Sequence, residues 1–233
     1  MIYGLIICAG KQSRFKSDIP KALMQINGTS LLERNIKAMT PYCDEIYTVC
    51  STENQHHFKT PNKIVINSGK GSGDAVLKAL EKLHIAPDDS CFIMWGDSLQ
   101  NSTIFAVLKK NYHGVSLIPC TYEENPYVQI IPMKKDKVLV RFSKFGEPIS
   151  AGFHDLSIFY CNAIELLEKL KEFQHKILDL DENYVHKHNN EMEFLDVFNE
   201  TDLRANILDL KHYKAFSFNT LEQFQKLVDE ENF

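Results

Sequence analysis

Apolar and polar residues alternate in two rhythms along the first half of this chain. Near-continuous apolar runs at 2–8, 45–50, 63–66, 91–95 and 114–120 read as short buried strands. The segments between them carry helical spacing. Leu31, Leu32, Ile36 and Met39 share one face behind Ser30, a natural N-cap. Val76, Leu77, Leu80 and Leu83 line one side of a helix over about 73–84, and a third helix falls over about 102–111. Strand and helix in regular alternation predict a parallel sheet covered on both faces, an α/β fold.

The rhythm changes after residue 120. Residues 127–131 and 137–142 flank Met133-Lys134-Lys135-Asp136 and read as a hairpin. One further strand is expected over 151–160, then helices at about 162–173 and 191–199, a strand at 213–218 and a last helix at 220–230. This predicts antiparallel strands added to the edge of the parallel sheet. No hinge-like or low-complexity linker interrupts the chain, so residues 1–233 are expected to form one domain of two halves, 1–120 and 121–233.

Composition narrows the partners. The 233 residues carry 44% hydrophobic and 24% charged positions, ordinary for a globular protein, so a full core is available. A net charge of −5 without a long basic run argues against nucleic acid, while a small phosphorylated ligand depends on local cations and stays open. The cysteines at 8, 43, 50, 91, 120 and 161 show no C-x-x-C spacing, and several sit in apolar runs. They read as buried thiols in a reducing compartment, so a cytoplasmic location is expected. No run approaches the ~18 apolar residues of a membrane span, and the apolar start is too short for a signal peptide.

The sharpest chemical signal lies where the first strand ends. Cys8 leads into Ala9-Gly10-Lys11-Gln12-Ser13-Arg14-Phe15, followed by Pro20-Lys21. Small residues in a turn at a strand's carboxyl end let backbone N–H groups approach an anion, and Arg14 and Lys21 add fixed cations. Either cation alone would be an ordinary surface charge. Their setting behind a buried strand favours polyphosphate. A second loop, Gly69-Lys70-Gly71-Ser72-Gly73-Asp74-Ala75, opens a helix and could bring backbone against a flat ring or a phosphate; the plain alternative is a flexible turn. A third signal is Asp97, just beyond the strand Cys91-Phe92-Ile93-Met94-Trp95, where a carboxylate faces the crevice and can hold Mg²⁺. G-x-G-x-x-G is missing at the first turn, and G-x-x-x-x-G-K-[ST] and G-x-S-x-G are missing throughout, which sets aside dinucleotide dehydrogenases, P-loop enzymes and α/β-hydrolases. His56-His57 and His186-x-His188 lack companion Cys/His ligands in sequence and are expected to be solvated or structural.

Taken together and in this order, these segments resemble the nucleotidyltransferase family that activates sugar phosphates and related phosphorylated metabolites. Its strand, A-G-x-G-x-R-[MF] and P-K signature is matched by Ala9 to Phe15 and Pro20-Lys21, with Ser13 in place of a glycine. The resemblance implies a three-layer α/β/α sandwich with a mixed, mainly parallel sheet. It implies a nucleotide-binding first half and an acceptor-binding second half. Cys8, Ala9, Gly10, Lys11, Gly71, Ser72, Gly73 and Asp74 would bind the nucleotide, and Arg14 and Lys21 would act on the phosphates. Trp95-Gly96-Asp97 is similar to the metal-carrying G-D, and Phe218-Asn219-Thr220-Leu221-Glu222 to the late V-[ND]-T-P-E motif, which makes Asn219 a second metal ligand. Phe142 to Pro148 resembles an F-x-E-K-P region, with Lys144 implied as the family's lysine. Ser150 stands where an acceptor-touching asparagine is usual. The implied reaction joins a nucleoside triphosphate, CTP favoured, to a phosphorylated small metabolite for capsule or surface polysaccharide synthesis, with Mg²⁺ as cofactor. A glycosyltransferase on a similar sheet is the rival reading, weakened because Ser98-Leu99 follows Asp97 where D-x-D is usual. The other rival is a nucleotide-binding regulator without turnover.

Overall fold

The computed structural model describes residues 1–10, 15, 17–67, 70–180, 183–186, 190–211, 213, 216–218 and 220–230. In chain order the strands are β1 Ile2–Ile7, β2 Gln25–Ile26, β3 Thr29–Ser30, β4 Glu45–Ser51, β5 Lys63–Ile66, β6 Ser90–Trp95, β7 Ser98–Leu99, β8 Ser116–Glu123, β9 Val128–Met133, β10 Lys137–Phe142, β11 Gly152–Asp155, β12 Ile158–Asn162, β13 Ala205–Asp209 and β14 Phe216–Ser217. The α-helices are α1 Leu31–Met39, α2 Ser72–Leu80, α3 Thr103–Asn111, α4 Ala163–Ile177, α5 Val197–Glu200 and α6 Leu221–Glu230.

One mixed ten-stranded sheet runs through both halves in the order β10-β9-β11-β8-β12-β6-β1-β4-β5, with β13 beside β8. β1 is the centre of the parallel part, paired with β4 on one side and β6 on the other. β12 then runs antiparallel to β6, and β13 parallel to β8. The pleat sorts the side chains by face. Leu5, Cys91, Ile93, Phe159 and Cys161 pack towards Val76, Leu80, Leu166, Leu170 and Phe173 of α2 and α4. Ile6, Phe92, Met94, Ile158 and Tyr160 pack towards Leu32 and Met39 of α1 and Ile104, Phe105 and Leu108 of α3. Helices therefore cover both faces, the architecture that the strand–helix rhythm predicts.

The Ser30 cap forms a full capping box. Ser30 Oγ accepts from the Glu33 N–H, and Glu33 Oε2 accepts from the Ser30 N–H at 2.9 Å. Such a cap contributes about 1 kcal/mol.

The second half departs from expectation in three places. The single strand expected at 151–160 is two strands, β11 and β12. Leu156 and Ser157 part them, and Ser157 takes φ 61°, held by its N–H on Asp155 Oδ1 at 2.9 Å. The helix expected at 191–199 is a 3₁₀ turn, Phe194–Asp196, continuing into the short α5. β13 was not foreseen at all. Its alternation is weak because only Ala205 is fully buried, and its partner β8 lies far away in sequence.

A third apolar cluster ties the last segment to the first loop. Phe15, Ile26, Leu31, Phe218 and Phe224 are buried together, with Phe15 and Phe218 ring centroids 5.6 Å apart. The six cysteines are free, five of them buried, as expected. No helix among the described residues is long and apolar enough to cross a membrane.

Candidate active site

A cleft of about 570 Å³ opens at the carboxyl ends of β1, β5 and β6. Its floor comes from the two central strands. The Gly96 N–H donates to Ile7 O at 2.9 Å, which knits the end of β6 to the end of β1. A Cβ at Gly96 would stand 2.4 Å from Cys8 Sγ, so only glycine allows the two strand ends to close up. Asp97, the next residue, is thereby delivered beside the first loop. Asn54 steadies that loop's start by donating from Nδ2 to Cys8 O at 2.9 Å. Burial, and then the Asp97 charge, push the Cys8 thiol well up, so it packs as a thiol and is no nucleophile. Beside it, no atom of the described residues beyond its chain neighbours lies within 4 Å of where a Gly10 Cβ would go.

Lys21 reaches into the same corner. Pro20 sets the entry to a 3₁₀ turn, Lys21–Leu23, and the Lys21 side chain is 9% exposed. A buried ammonium needs several partners. Lys21 Nζ donates to Asp97 Oδ2 at 3.2 Å and to Phe218 O at 3.0 Å. It also lies 5.7 Å from the Phe15 ring centroid and 5.8 Å from that of Phe218. The aromatic cluster under the first loop thus fixes where this cation points. The Asp97 side chain is 38% exposed, so it remains reachable from the cleft. Its hard carboxylate oxygen is the kind of donor Mg²⁺ takes, together with phosphate oxygens.

The glycine-rich turn forms a second wall. Gly71 adopts φ 103°, closed to most residues, and a Cβ there would stand 2.4 Å from Met192 O. The Gly73 N–H donates to Met192 O at 2.7 Å, and the Met192 N–H to Lys70 O at 2.9 Å. Both glycines therefore have a protein partner: they let the 190s segment lie against the start of α2. Gly71, Ser72 and Asp74 line the cleft, whereas Gly73 sits behind that wall. Asp74 is buried, accepting from Tyr184 Oη and from Lys78 Nζ at 2.7 Å. Burial and the Asp74 hydrogen bond in turn push the Tyr184 phenol up.

The far wall belongs to the second half. Lys144 follows β10, lies 4.6 Å from the Phe145 ring centroid, and forms an ion pair with Glu193. Glu193 also accepts from Ser72 Oγ at 3.1 Å, which links this lysine to the glycine-rich turn. Tyr127, His154, Asp155 and Glu191 complete this side.

Of the residues singled out in the sequence, Cys8, Ala9, Gly10, Lys21, Gly71, Ser72, Asp74, Asp97 and Lys144 thus meet around one cavity. Lys11, Arg14 and Asn219 lie outside the described residues. Ser150 is not among the lining residues; its Oγ accepts from Gln129 Nε2 at 3.1 Å. Sequence reasoning missed His154, Asp155, Glu191 and Glu193. The break at Ser157 that turns Asp155 inward, and the seating of the 190s segment on Gly71, leave no local pattern to read. The His186 side chain is 5% exposed, which fits the structural one of the two readings expected for it. Its ring lies near Asp196 and Glu200, carboxylates that no spacing rule connects to it.

The sequence pattern of the MobA-like NTP transferase domain matches residues 4–175. The bifunctional protein GlmU of Streptococcus uberis is 33% identical over 150 residues, 59% of this chain and 32% of its own length. The chain therefore corresponds to about a third of that relative. Among solved structures, a nucleoside-diphosphate-sugar pyrophosphorylase from Vibrio cholerae RC9 superposes with a TM-score of 0.73 at 15% identity, covering 99% of this chain and 100% of its own. The inositol-1-phosphate CTP transferase from T. maritima superposes with a TM-score of 0.72 at 10% identity, covering 97% of this chain and 93% of its own.

Proposed function

The chain belongs to the MobA-like NTP transferase family, and on that premise we propose that its cleft transfers a nucleotidyl group from a nucleoside triphosphate to a phosphorylated small metabolite. The observation that carries this reading is the Lys21–Asp97 pair, 3.2 Å apart at the joined ends of β1 and β6. A buried cation and a reachable carboxylate beside a small-residue turn suit a polyphosphate and its metal better than any neutral ligand.

The chemistry follows from charge. A phosphate oxygen of the acceptor attacks the α-phosphorus, and pyrophosphate leaves in line. A phosphomonoester has a second pKa of roughly 6, so the nucleophile is ionised at neutral pH and needs no general base. The difficulty is to bring two anions together. Lys21 neutralises the phosphates from the floor, and Arg14 is its partner by family resemblance. Lys144 faces the acceptor's phosphate from the far wall. Asp97, with Asn219 assisting, would hold Mg²⁺, which supplies Lewis-acid stabilisation of the charge on the α-phosphate.

Residues 1–120 form the nucleotide half in this reading, and 121–233 the acceptor half. CTP is the favoured nucleotide, in line with the name of the T. maritima neighbour. L-Glutamine phosphate and sugar phosphates are the acceptors to try first, with capsule or surface polysaccharide synthesis as the setting. The test is to incubate purified protein and Mg²⁺ with each of four triphosphates against a panel of phosphorylated metabolites, following pyrophosphate. One pairing is expected to release it in step with a nucleoside-diphosphate-linked product. Triphosphate binding without turnover on any acceptor, or turnover only of nucleotide sugars, overturns the proposal.

A further inference from the structure

Outside the cleft, three groups of metal-binding character converge: His186, Asp196 and Glu200. Asp196 ends the 3₁₀ turn Phe194–Asp196 and Glu200 ends α5, so their four-residue spacing sets both carboxylates on one face of a helical stretch. His186 approaches that face from the segment that follows Tyr184. Its ring rests edge-on against Phe173, centroids 5.4 Å apart. The side chains are 5%, 0% and 32% exposed for His186, Asp196 and Glu200.

We propose that His186, Asp196 and Glu200 form a second cation site, separate from the nucleotide cleft, that takes a zinc-class divalent ion. One ring nitrogen and one oxygen from each carboxylate lie within 4.8 Å of one another. His186 Nδ1 stands 3.8 Å from Asp196 Oδ2, and Nε2 stands 3.8 Å from Glu200 Oε1. Those separations are longer than hydrogen bonds, at about 2.7–3.2 Å. Only one ring nitrogen can face a given ion, so one of these pairs has the spacing of two donors that share an ion through bonds of about 2.0–2.2 Å, and the other carboxylate comes within 4.8 Å of that nitrogen. Mixed nitrogen and carboxylate donors suit zinc, whereas Mg²⁺ and Ca²⁺ prefer oxygen alone. Asn199 Nδ2 donates to Asp196 Oδ1 at 3.2 Å, which orients that carboxylate in the manner of an outer-layer partner.

The position gives the ion a task. Met192 and Glu193, which meet the glycine-rich turn and, through Glu193, Lys144, lie between His186 and Asp196 in the chain. An ion held at both ends would staple the outer wall of the cleft to α5. The rival for the same geometry is a protonated His186 between two carboxylates, with no ion.

The test uses the whole chain, stripped with a chelator and titrated with zinc and, separately, cobalt(II). One equivalent of zinc is expected to bind, the melting temperature is expected to rise, and cobalt is expected to give the visible absorption of a low-coordinate site. Glu200→Gln, at the partly exposed position, is expected to keep the fold and weaken zinc binding at least tenfold, and His186→Gln is expected to abolish the cobalt spectrum. Asp97→Asn is expected to leave zinc binding as it was. Absence of stoichiometric zinc binding, unchanged affinity in Glu200→Gln, or loss in Asp97→Asn alone overturns the proposal. If His186→Gln does not fold, the Glu200→Gln titration and its cobalt spectrum decide.

Discussion

Lys21 and Lys144 each pair with a carboxylate at the same cleft, yet the two halves of the molecule hold them by different means. Lys21 stands on the parallel core. Its ammonium is surrounded by Asp97, the Phe218 carbonyl and two aromatic rings, and its side chain is 9% exposed. Lys144 stands on a 3₁₀ turn beyond a hairpin, 27% exposed, and its ionic partner Glu193 comes from a segment clasped to the glycine-rich turn. The first lysine is fixed by packing before any ligand arrives. The second is tied to a wall that would have to let go of it for a substrate phosphate to take Glu193's place. Preorganised charge does most for a transition state, so the core half is expected to govern rate and the outer half acceptor affinity.

The largest expected effect breaks the inner pair. Asp97→Ala is predicted to lower pyrophosphate release about a hundredfold, ~3 kcal/mol of transition-state stabilisation, with an unchanged far-ultraviolet spectrum. Turnover within a factor of a few of wild type would remove Asp97 from the machinery.

Next come the glycines, which separate scaffold from ligand contact. Gly71→Ala strains a φ of 103° and drives a methyl group into Met192, so a loss of about 1–3 kcal/mol in urea unfolding is expected. Among the described residues, Gly10→Ala meets no atom within 4 Å beyond its chain neighbours. It is predicted to leave unfolding unchanged while weakening triphosphate binding, because the added methyl occupies space reserved for the ligand. Equal destabilisation by the two changes would erase the distinction.

The outer lysine is expected to matter less. Lys144→Ala should raise KM for the acceptor about tenfold, with kcat nearly kept, as for a group that binds ground and transition states alike. A hundredfold fall in kcat would place both lysines in one class.

The smallest effect concerns charge at the edge of the outer half. The Lys169 hydrogen bond holds the Asp202 carboxyl below its ordinary range; Lys176 first, and Lys169 second, do the same for Glu172. A depressed carboxyl contributes stability above its unfolded pKa and loses it as pH falls through the folded one. Lys169→Met is therefore expected to lower stability slightly at neutral pH and to flatten the acid limb of the stability curve, the two proteins converging below about pH 4, near ordinary carboxylate values. These groups are well solvated, so screening keeps the effect small.

The same division explains what could be read in the sequence. β1, β4, β5 and β6 are buried runs bounded by helices of clear period, and Ser30 announces α1 through its capping box. Asp97 was legible because it follows the end of β6, and Lys21 because Pro20-Lys21 comes after the small-residue loop that leaves β1. In the outer half, a positive φ at Ser157 cuts one apolar run into two strands, and β13 joins β8 through a register that only the folded sheet defines. Glu193 reaches the cleft through Met192 lying on Gly71 and Gly73, a contact that links residues more than a hundred positions apart. Local pattern reports local burial, and the acceptor wall is built from distant pairings.

Nucleotidyl transfer stands or falls with the fate of the α-phosphorus. With triphosphate labelled at the α position and the best acceptor of the panel, the label is predicted to move quantitatively into a product joined to the acceptor, with one pyrophosphate released per transfer. Release of orthophosphate, or label left on free nucleoside monophosphate or diphosphate, would contradict the account.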